Sequence, residues 1–259
     1  MGSYIARELK KALKRRYTYA YVLGILILCL LANIAVMAFR TIYGTNEGTY
    51  AYNLIEYATW CFVLPYYSCI FIADMGFGKI YPNPHIKDNV TKNLSRTQIY
   101  LSKLITEVLL AIVFLVIAFI LLISITALFQ LRDRTICSYT IWDFTQKMVF
   151  ATPLWIAGIS FGNMFLFLFE DKRKAYVGFF ILTFAVPRII MQLAAEPLKL
   201  APFKVIRTYL ITQNFSLLPY PADPARNIPL TVALGFIYAA IASVIGAIVY
   251  NKKKTDYIL

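Results

Sequence analysis

The sequence has little of what an enzyme active site usually needs. Its 259 residues include 13 acidic residues and a single histidine, His85. It contains no HExxH, GxSxG or Walker A sequence, and His85 has no cluster of cysteines or carboxylates around it in the sequence. We therefore predict that this chain has no catalytic residue, metal site or cofactor of its own and does not hydrolyse ATP.

Cysteine is also scarce, and its spacing argues against a disulfide framework or a metal site. The four cysteines form no CxxC pair. Cys29, Cys61 and Cys69 lie in or beside apolar runs, whereas Cys137 lies in a polar stretch. Since free cysteine behaves as a small hydrophobic side chain, we favour packing roles for them.

Charged residues make up only 15% of the chain, whereas 60% of it is hydrophobic and 16% is aromatic. A soluble domain cannot bury that much apolar surface, so we expect the bilayer to act as part of the solvent. The net charge of +13 could in principle indicate nucleic acid. Because the basic residues cluster at the ends of apolar runs, we attribute the charge to anionic lipid headgroups and membrane topology instead.

The apolar runs predict an all-α membrane protein, one permease-like domain over residues 1–259, with six transmembrane helices. Each run is long enough to cross a hydrocarbon core of about 30 Å. We expect a kink at Pro65 and an N-terminal cap on the third helix from Ser95 or Thr97. The predicted spans cover residues 18–39, 54–73, 98–129, 148–169, 175–195 and 230–250.

Two elements outside the spans carry their own patterns. Residues 1–17 place apolar and basic side chains at helical spacing, which predicts an amphipathic helix on an anionic membrane surface. The alternative is the basic start of a signal peptide, but the following apolar run is too long for a signal core. Residues 196–229 are punctuated by apolar side chains, and we expect a short amphipathic helix or a re-entrant pair before the last span.

Basic residues also predict the topology. Most lysines and arginines fall in the N-terminal segment, residues 79–103, residues 172–174 and the C-terminal tail, which six spans place on one side. The positive-inside rule makes that side cytoplasmic. We expect a multi-pass protein of a bacterial plasma membrane with both termini inside and residues 196–229 outside.

Polar residues inside the spans are few. Asn33 either bonds to a neighbouring helix or faces a pathway, and Asn163 is a similar candidate. Gly158 and Gly162 form a G-x-x-x-G spacing that permits close helix packing. The acidic residues Glu56, Glu107 and Glu170 are expected near span ends, with Glu107 four residues after Lys103 on an amphipathic first stretch.

Residues 79–103 form a polar, basic connection that begins with Pro82 and Pro84 and continues as IKDNVTKNLSRTQIYLSKLI over residues 86–105. Together with the basic N-terminal helix, the six spans and the apolar insert, this segment resembles the permease subunits of the ABC-2 family. These are the membrane halves of ATP-binding-cassette exporters of the antimicrobial-peptide or lantibiotic type. The stretch of residues 92–104 is similar to a coupling helix that leads into the third span.

The resemblance implies a soluble ATPase partner that binds ATP and Mg²⁺, and a second permease copy, which we expect to form a homodimer. It also implies export of a hydrophobic or amphipathic peptide, antimicrobial or lipid-like cargo. The segment that would contact the ATPase comprises Ile86, Lys87, Asp88, Asn89, Val90, Lys92 and Asn93. From the residues alone, a basic loop that touches lipid headgroups stays open as the alternative.

Two other function classes fit the sequence less well. A self-contained secondary transporter or channel usually shows repeats and ionisable residues in the middle of the membrane, which this sequence does not display. An intramembrane enzyme would need paired carboxylates or a histidine cluster within the spans. A structural assembly factor without transport activity stays open.

Overall fold

The computed structural model describes residues 1–43, 50–77, 94–129, 138–169, 171–195, 200–220, 223, 225 and 227–252. Within these ranges the chain forms helices and turns and contains no strand, so the predicted all-α class is confirmed there. Five of its helices are long and apolar enough to cross a membrane, and a broken pair makes a sixth if it counts as one span. The chain is therefore described as a multi-pass membrane protein.

The helix bounds follow the apolar runs of the sequence, except in the second, fourth and fifth predicted spans. The helices are α1 Gly2–Leu13, α2 Arg16–Tyr43, α3 Tyr50–Trp60, α4 Val63–Phe77, α5 Arg96–Phe129, α6 Ser138–Leu168, α7 Lys172–Phe180, α8 Val186–Ala194, α9 Ala201–Thr208, α10 Ile211–Leu217 and α11 Ile228–Lys252. A π-helical turn, Ile181–Ala185, joins α7 to α8.

Helix α6 lies at the centre and packs mainly against α4 and α11. Close approach at these two contacts depends on glycine. A Cβ atom on Gly158 would lie 2.7 Å from the Tyr66 ring, and one on Gly162 would lie 3.0 Å from the Ala73 Cβ. On the other side of α6, Gly235 of α11 lies directly against the backbone of Pro153.

The stretch predicted as the second span consists of two helices, α3 and α4, rather than one kinked helix. The chain bends by 56° between them, and the break lies at Cys61 and Phe62, ahead of Pro65. Pro65 lies in the first turn of α4, where a backbone N–H would have no acceptor within the helix, so its absence costs nothing there. The Trp155 indole nitrogen donates to the Phe62 carbonyl oxygen at 2.9 Å, which satisfies one acceptor that the break releases.

The fourth span begins ten residues earlier than expected. We predicted a span over residues 148–169, and this start was too late, because residues 138–147 also belong to α6. The charges are accommodated because the Lys147 ammonium pairs with Asp143 one turn earlier, at 2.6 Å. The Phe144 ring meanwhile packs against Phe62 and Phe119 in the core.

The fifth span contains a π-helical turn that the sequence did not lead us to expect. Pro187 has no backbone N–H, so the carbonyl of Thr183 loses its usual α-helical donor. The π turn lies directly before this proline, and the Val186 N–H donates to the Ile181 carbonyl oxygen five residues back. A wider turn of this kind often occurs at functional sites in helices.

The insert before the last span contains two short helices of different character. Helix α9 has no buried residue, whereas Ile211–Phe215 of α10 are all buried. The Asn214 amide donates to the Thr208 and Leu210 carbonyls and accepts from the Thr231 hydroxyl at 2.8 Å. The backbone carbonyls at the junction of α9 and α10 thus accept hydrogen bonds from a protein side chain, as non-helical backbone requires where water is excluded.

We call the two ends of the bundle the basal end and the distal end. At the basal end, α1 and the first turns of α5 and α7 meet the last turns of α4 and α11. At the distal end, α10 packs onto the first turns of α4 through the rings of Phe215 and Tyr66, 5.6 Å apart. The predicted coupling segment connects α4 to α5 and so leaves and enters at the basal end.

Candidate functional site

The residues singled out from the sequence fall into two groups. The predicted ATPase-coupling residues Ile86, Lys87, Asp88, Asn89, Val90, Lys92 and Asn93 lie outside the described residues. The candidates within the spans are all described. Asn33 is fully buried, and its amide nitrogen donates to the Cys29 carbonyl of its own helix at 2.8 Å. Gly158 and Gly162 line the α4–α6 contact, and Asn163 is fully buried beside them.

A buried ion pair at the basal end joins α1 to α5. The Lys103 ammonium donates to the Glu8 carboxylate, and the two residues are 4% and 8% exposed. Lys11 approaches the other Glu8 oxygen at 3.2 Å from a half-exposed position. Because Tyr4, Glu8 and Ala12 form the buried stripe of α1, this helix packs on the bundle rather than only on lipid. The pair therefore fixes α1 against α5.

Two cations also cap the end of α4. The Lys103 ammonium donates to the Gly76 carbonyl oxygen at 3.3 Å, and the Arg15 guanidinium donates to the Met75 carbonyl oxygen at 2.5 Å. The last carbonyls of a helix lack intrahelical partners and carry partial negative charge, so cations stabilise them. Lys103, a residue of α5, thus contacts both α1 and α4 at the point where the chain leaves α4.

The start of α5 is anchored as well. The Gln98 backbone N–H donates to the Ser95 hydroxyl, and the Ser95 N–H donates back to the Gln98 side chain at 2.9 Å. This reciprocal arrangement is a capping box, with Ser95 as the predicted cap. The Arg96 guanidinium donates to the Asn251 carbonyl, and the Asn251 amide donates to the Thr97 hydroxyl. These contacts tie the start of α5 to the end of α11.

A second ion pair ties α4 to α7. The Lys172 ammonium donates to the Asp74 carboxylate, whose other oxygen accepts from the Tyr176 hydroxyl at 3.2 Å. Lys172 and Asp74 are partly exposed, which is consistent with a position at the edge of the bundle. The last turn of α4 therefore has polar contacts to α1, α5 and α7.

A group of buried polar atoms lies deeper along α5. Glu107, about 16 Å along this helix from its start, is fully buried against Gly76. Neither of its carboxylate oxygens has a hydrogen-bond partner among the described residues. The Tyr100 hydroxyl and the Asn163 amide are also buried, and these two side chains interact with each other. We expected Glu107 near a span end, and the structure adds that its side chain is fully buried in the helix packing.

An apolar cavity of about 120 Å³ lies between α2, α4, α5 and α6. Its wall is formed almost entirely by carbon atoms of aliphatic and aromatic side chains, and the hydroxyls of Tyr21 and Ser68 bond to each other at 2.8 Å near it. A cavity of this chemistry suits a hydrocarbon group better than a sugar or an ion.

The basal ion pair predicts a pH dependence of stability. Burial opposes ionisation of Glu8, but the ammonium groups of Lys103 and Lys11 together outweigh burial and hold the pKa of the Glu8 carboxyl below its ordinary 4.5. A lowered pKa stabilises the folded state above the ordinary value, and that contribution is lost as pH falls through the folded pKa. Between about pH 6 and pH 3, the Tm of the wild type should fall further than that of Glu8→Gln. Equal falls in the two proteins, measured by thermal unfolding in detergent, would contradict this account.

Sequence reasoning missed Glu8, Asp74 and Lys172 as partners in this network. A signal for Glu8 was present, because it is the one acidic residue in the basic N-terminal helix. Lys103 and Glu107 were noted as a pair one turn apart, yet the structure gives them different surroundings. The partners of Lys103 come from α1 and α4, far away in the sequence.

Comparison of the chain with protein-family models gave no match, and comparison with curated proteins gave none either.

Proposed function

We propose that this chain is the membrane-spanning permease subunit of an ATP-binding-cassette exporter, driven by a separate soluble ATPase. The observation that carries the proposal is the anchoring of the two helix ends that flank residues 78–93. The end of α4 is capped by Lys103 and Arg15, and the start of α5 is capped by Ser95. A segment held at both ends can pass a push from a docked motor to rigid helices.

The basal contacts indicate which helices would move if the segment were displaced. Helix α5 extends over 34 residues without interruption, and Lys103 links its first turns to α1 and to α4. Movement of the segment would displace these three helices together. The apolar cavity lies between α4, α5 and two further helices, so the same movement would change its shape. The apolar wall of the cavity supports hydrophobic or amphipathic cargo. We propose that a second permease copy completes the passage.

Replacing Asp88 or Asn89 with Trp should remove most ATP-driven transport, since a bulky ring would block docking of the segment in a groove of the ATPase. The yield of protein in the membrane and the Tm should stay unchanged. Lys174→Trp is the matched control, because it adds the same ring at an exposed position of the same predicted side. The readouts are co-purification with the ATPase and ATP-driven efflux in vesicles. Normal transport by both segment variants would count against the assignment.

One observation favours a second candidate, a secondary transporter driven by protons. The Glu107 carboxylate is fully buried and has no hydrogen-bond partner in the part of the chain that the structure describes. Such a group is costly unless it is neutral, and groups of this kind mark proton pathways in membrane proteins. Proton-driven flux in vesicles that contain only this purified chain would support the second candidate. Loss of that flux in Glu107→Gln would assign it to this residue.

A further inference from the structure

A second cavity, of about 190 Å³, lies at the distal end between α3, α4, the π turn, α8 and α10. Its walls include the rings of Trp60, Tyr67 and Phe184, and the last two rings contact each other edge to face at 5.6 Å. This cavity is separate from the apolar cavity and from the basal network. Unlike the apolar cavity, it has a charged residue among the residues that line it.

Arg188 is the one charged residue among the described residues that line this cavity. No described carboxylate lies within ion-pair distance of its guanidinium. Arg188 is exposed and lies about 9 Å before the end of α8, within a helical stretch apolar enough to span a bilayer. A guanidinium in such a helix is stabilised when an anion or water meets it.

Thr212 of α10 is also among the residues that line the cavity, and it is 8% exposed. Its hydroxyl oxygen, however, is enclosed by protein and has no hydrogen-bond partner among the described residues. That hydroxyl therefore does not face the cavity, and the cationic donors of the cavity are those of the Arg188 guanidinium.

From this geometry we infer that the distal cavity binds the oxyanion of an amphipathic molecule, either a phosphate or a carboxylate. The guanidinium presents a planar fork of donors that fits two oxygens of such a group. The aromatic rings accommodate the first carbons of the apolar body. Phe184 of the π turn and Pro187, which follows the turn closely, belong to the same wall.

The volume limits what can enter. About 190 Å³ holds a headgroup and a few attached carbons, whereas a whole peptide would be too large. A bilayer phospholipid and an exported amphiphile share this chemistry, so the experiment must separate these two sources.

The test uses the full-length chain purified in a neutral detergent, without any ATPase, and decyl phosphate as the probe. Wild-type protein should bind decyl phosphate, measured as a rise in Tm with concentration, and Arg188→Met should weaken binding about tenfold or more. Thr212→Val should leave the affinity unchanged, because the hydroxyl that it removes does not face the cavity, and Arg188→Lys should keep part of the affinity. Lys204→Gln is the control, since it removes an exposed cation of α9 in the same distal insert.

Native mass spectrometry of the same preparations separates the two sources. A phospholipid that is retained by the wild type and lost from Arg188→Met would identify a bound membrane lipid. Decyl phosphate binding without a retained phospholipid would point to an exported amphiphile. Equal affinities in the wild type, Arg188→Met and Lys204→Gln would overturn the inference. Because no ATPase is present, that result would leave the proposed permease function untouched.

Discussion

Lys103→Met should lower the free energy of unfolding by about 3–5 kcal/mol, the usual result of removing one partner of a buried ion pair. The reason is that Glu8 stays buried without its main counter-charge, and the end of α4 loses one of its two capping cations. Reversible unfolding in mixed micelles measures the change. The same variant should uncouple transport, because α1 would no longer be fixed to α5.

Two further variants make this prediction specific. Lys11→Met removes a cation from the same carboxylate, but the Lys11 side chain is 49% exposed, so the expected loss is below about 1 kcal/mol. The double variant Glu8→Gln/Lys103→Met leaves no stranded charge at residue 8 and should recover a large part of the loss. Equal losses for Lys11→Met and Lys103→Met would show that burial does not govern the pair.

Gly235→Ala should destabilise the bundle by about 1–3 kcal/mol even though it adds only one methyl group. The new Cβ atom would lie 2.5 Å from the backbone carbonyl carbon of Pro153 and 2.7 Å from its oxygen. Backbone atoms in a packed helix cannot rotate away as a flexible side chain can, so α11 would have to shift from α6. The free energy of unfolding in mixed micelles is again the measurement.

Gly24→Ala is the matched control for this substitution. Gly24 also lies inside a spanning helix, but a Cβ atom there would meet nothing within 4 Å. The stability of this variant should stay unchanged or rise slightly, because alanine favours a helix more than glycine does. If the two variants lost stability equally, close packing at Pro153 would not explain the effect.

The candidate site shows where sequence reasoning stops. Ser95 could be proposed as a cap because capping depends on residues within one turn. The G-x-x-x-G spacing indicated a helix contact, yet only the structure identifies α4 as the partner of Gly158 and Gly162. Lys103 and Glu107, one turn apart, suggested a pair with each other. In the fold the ammonium reaches Glu8 and Gly76 instead.

Composition and hydropathy by themselves determined that the chain is helical, that it belongs in a bilayer, and roughly where its spans lie. They could do so because each span needs only a local property, a run of apolar residues as long as the hydrocarbon core. The tertiary structure alone decided the break at Cys61, the early start of α6, the burial of Glu107 and the partners of Lys103. Each of these depends on contacts with residues of helices that are distant in the sequence. Such contacts produce no periodic pattern in the sequence, so they could not be predicted from it.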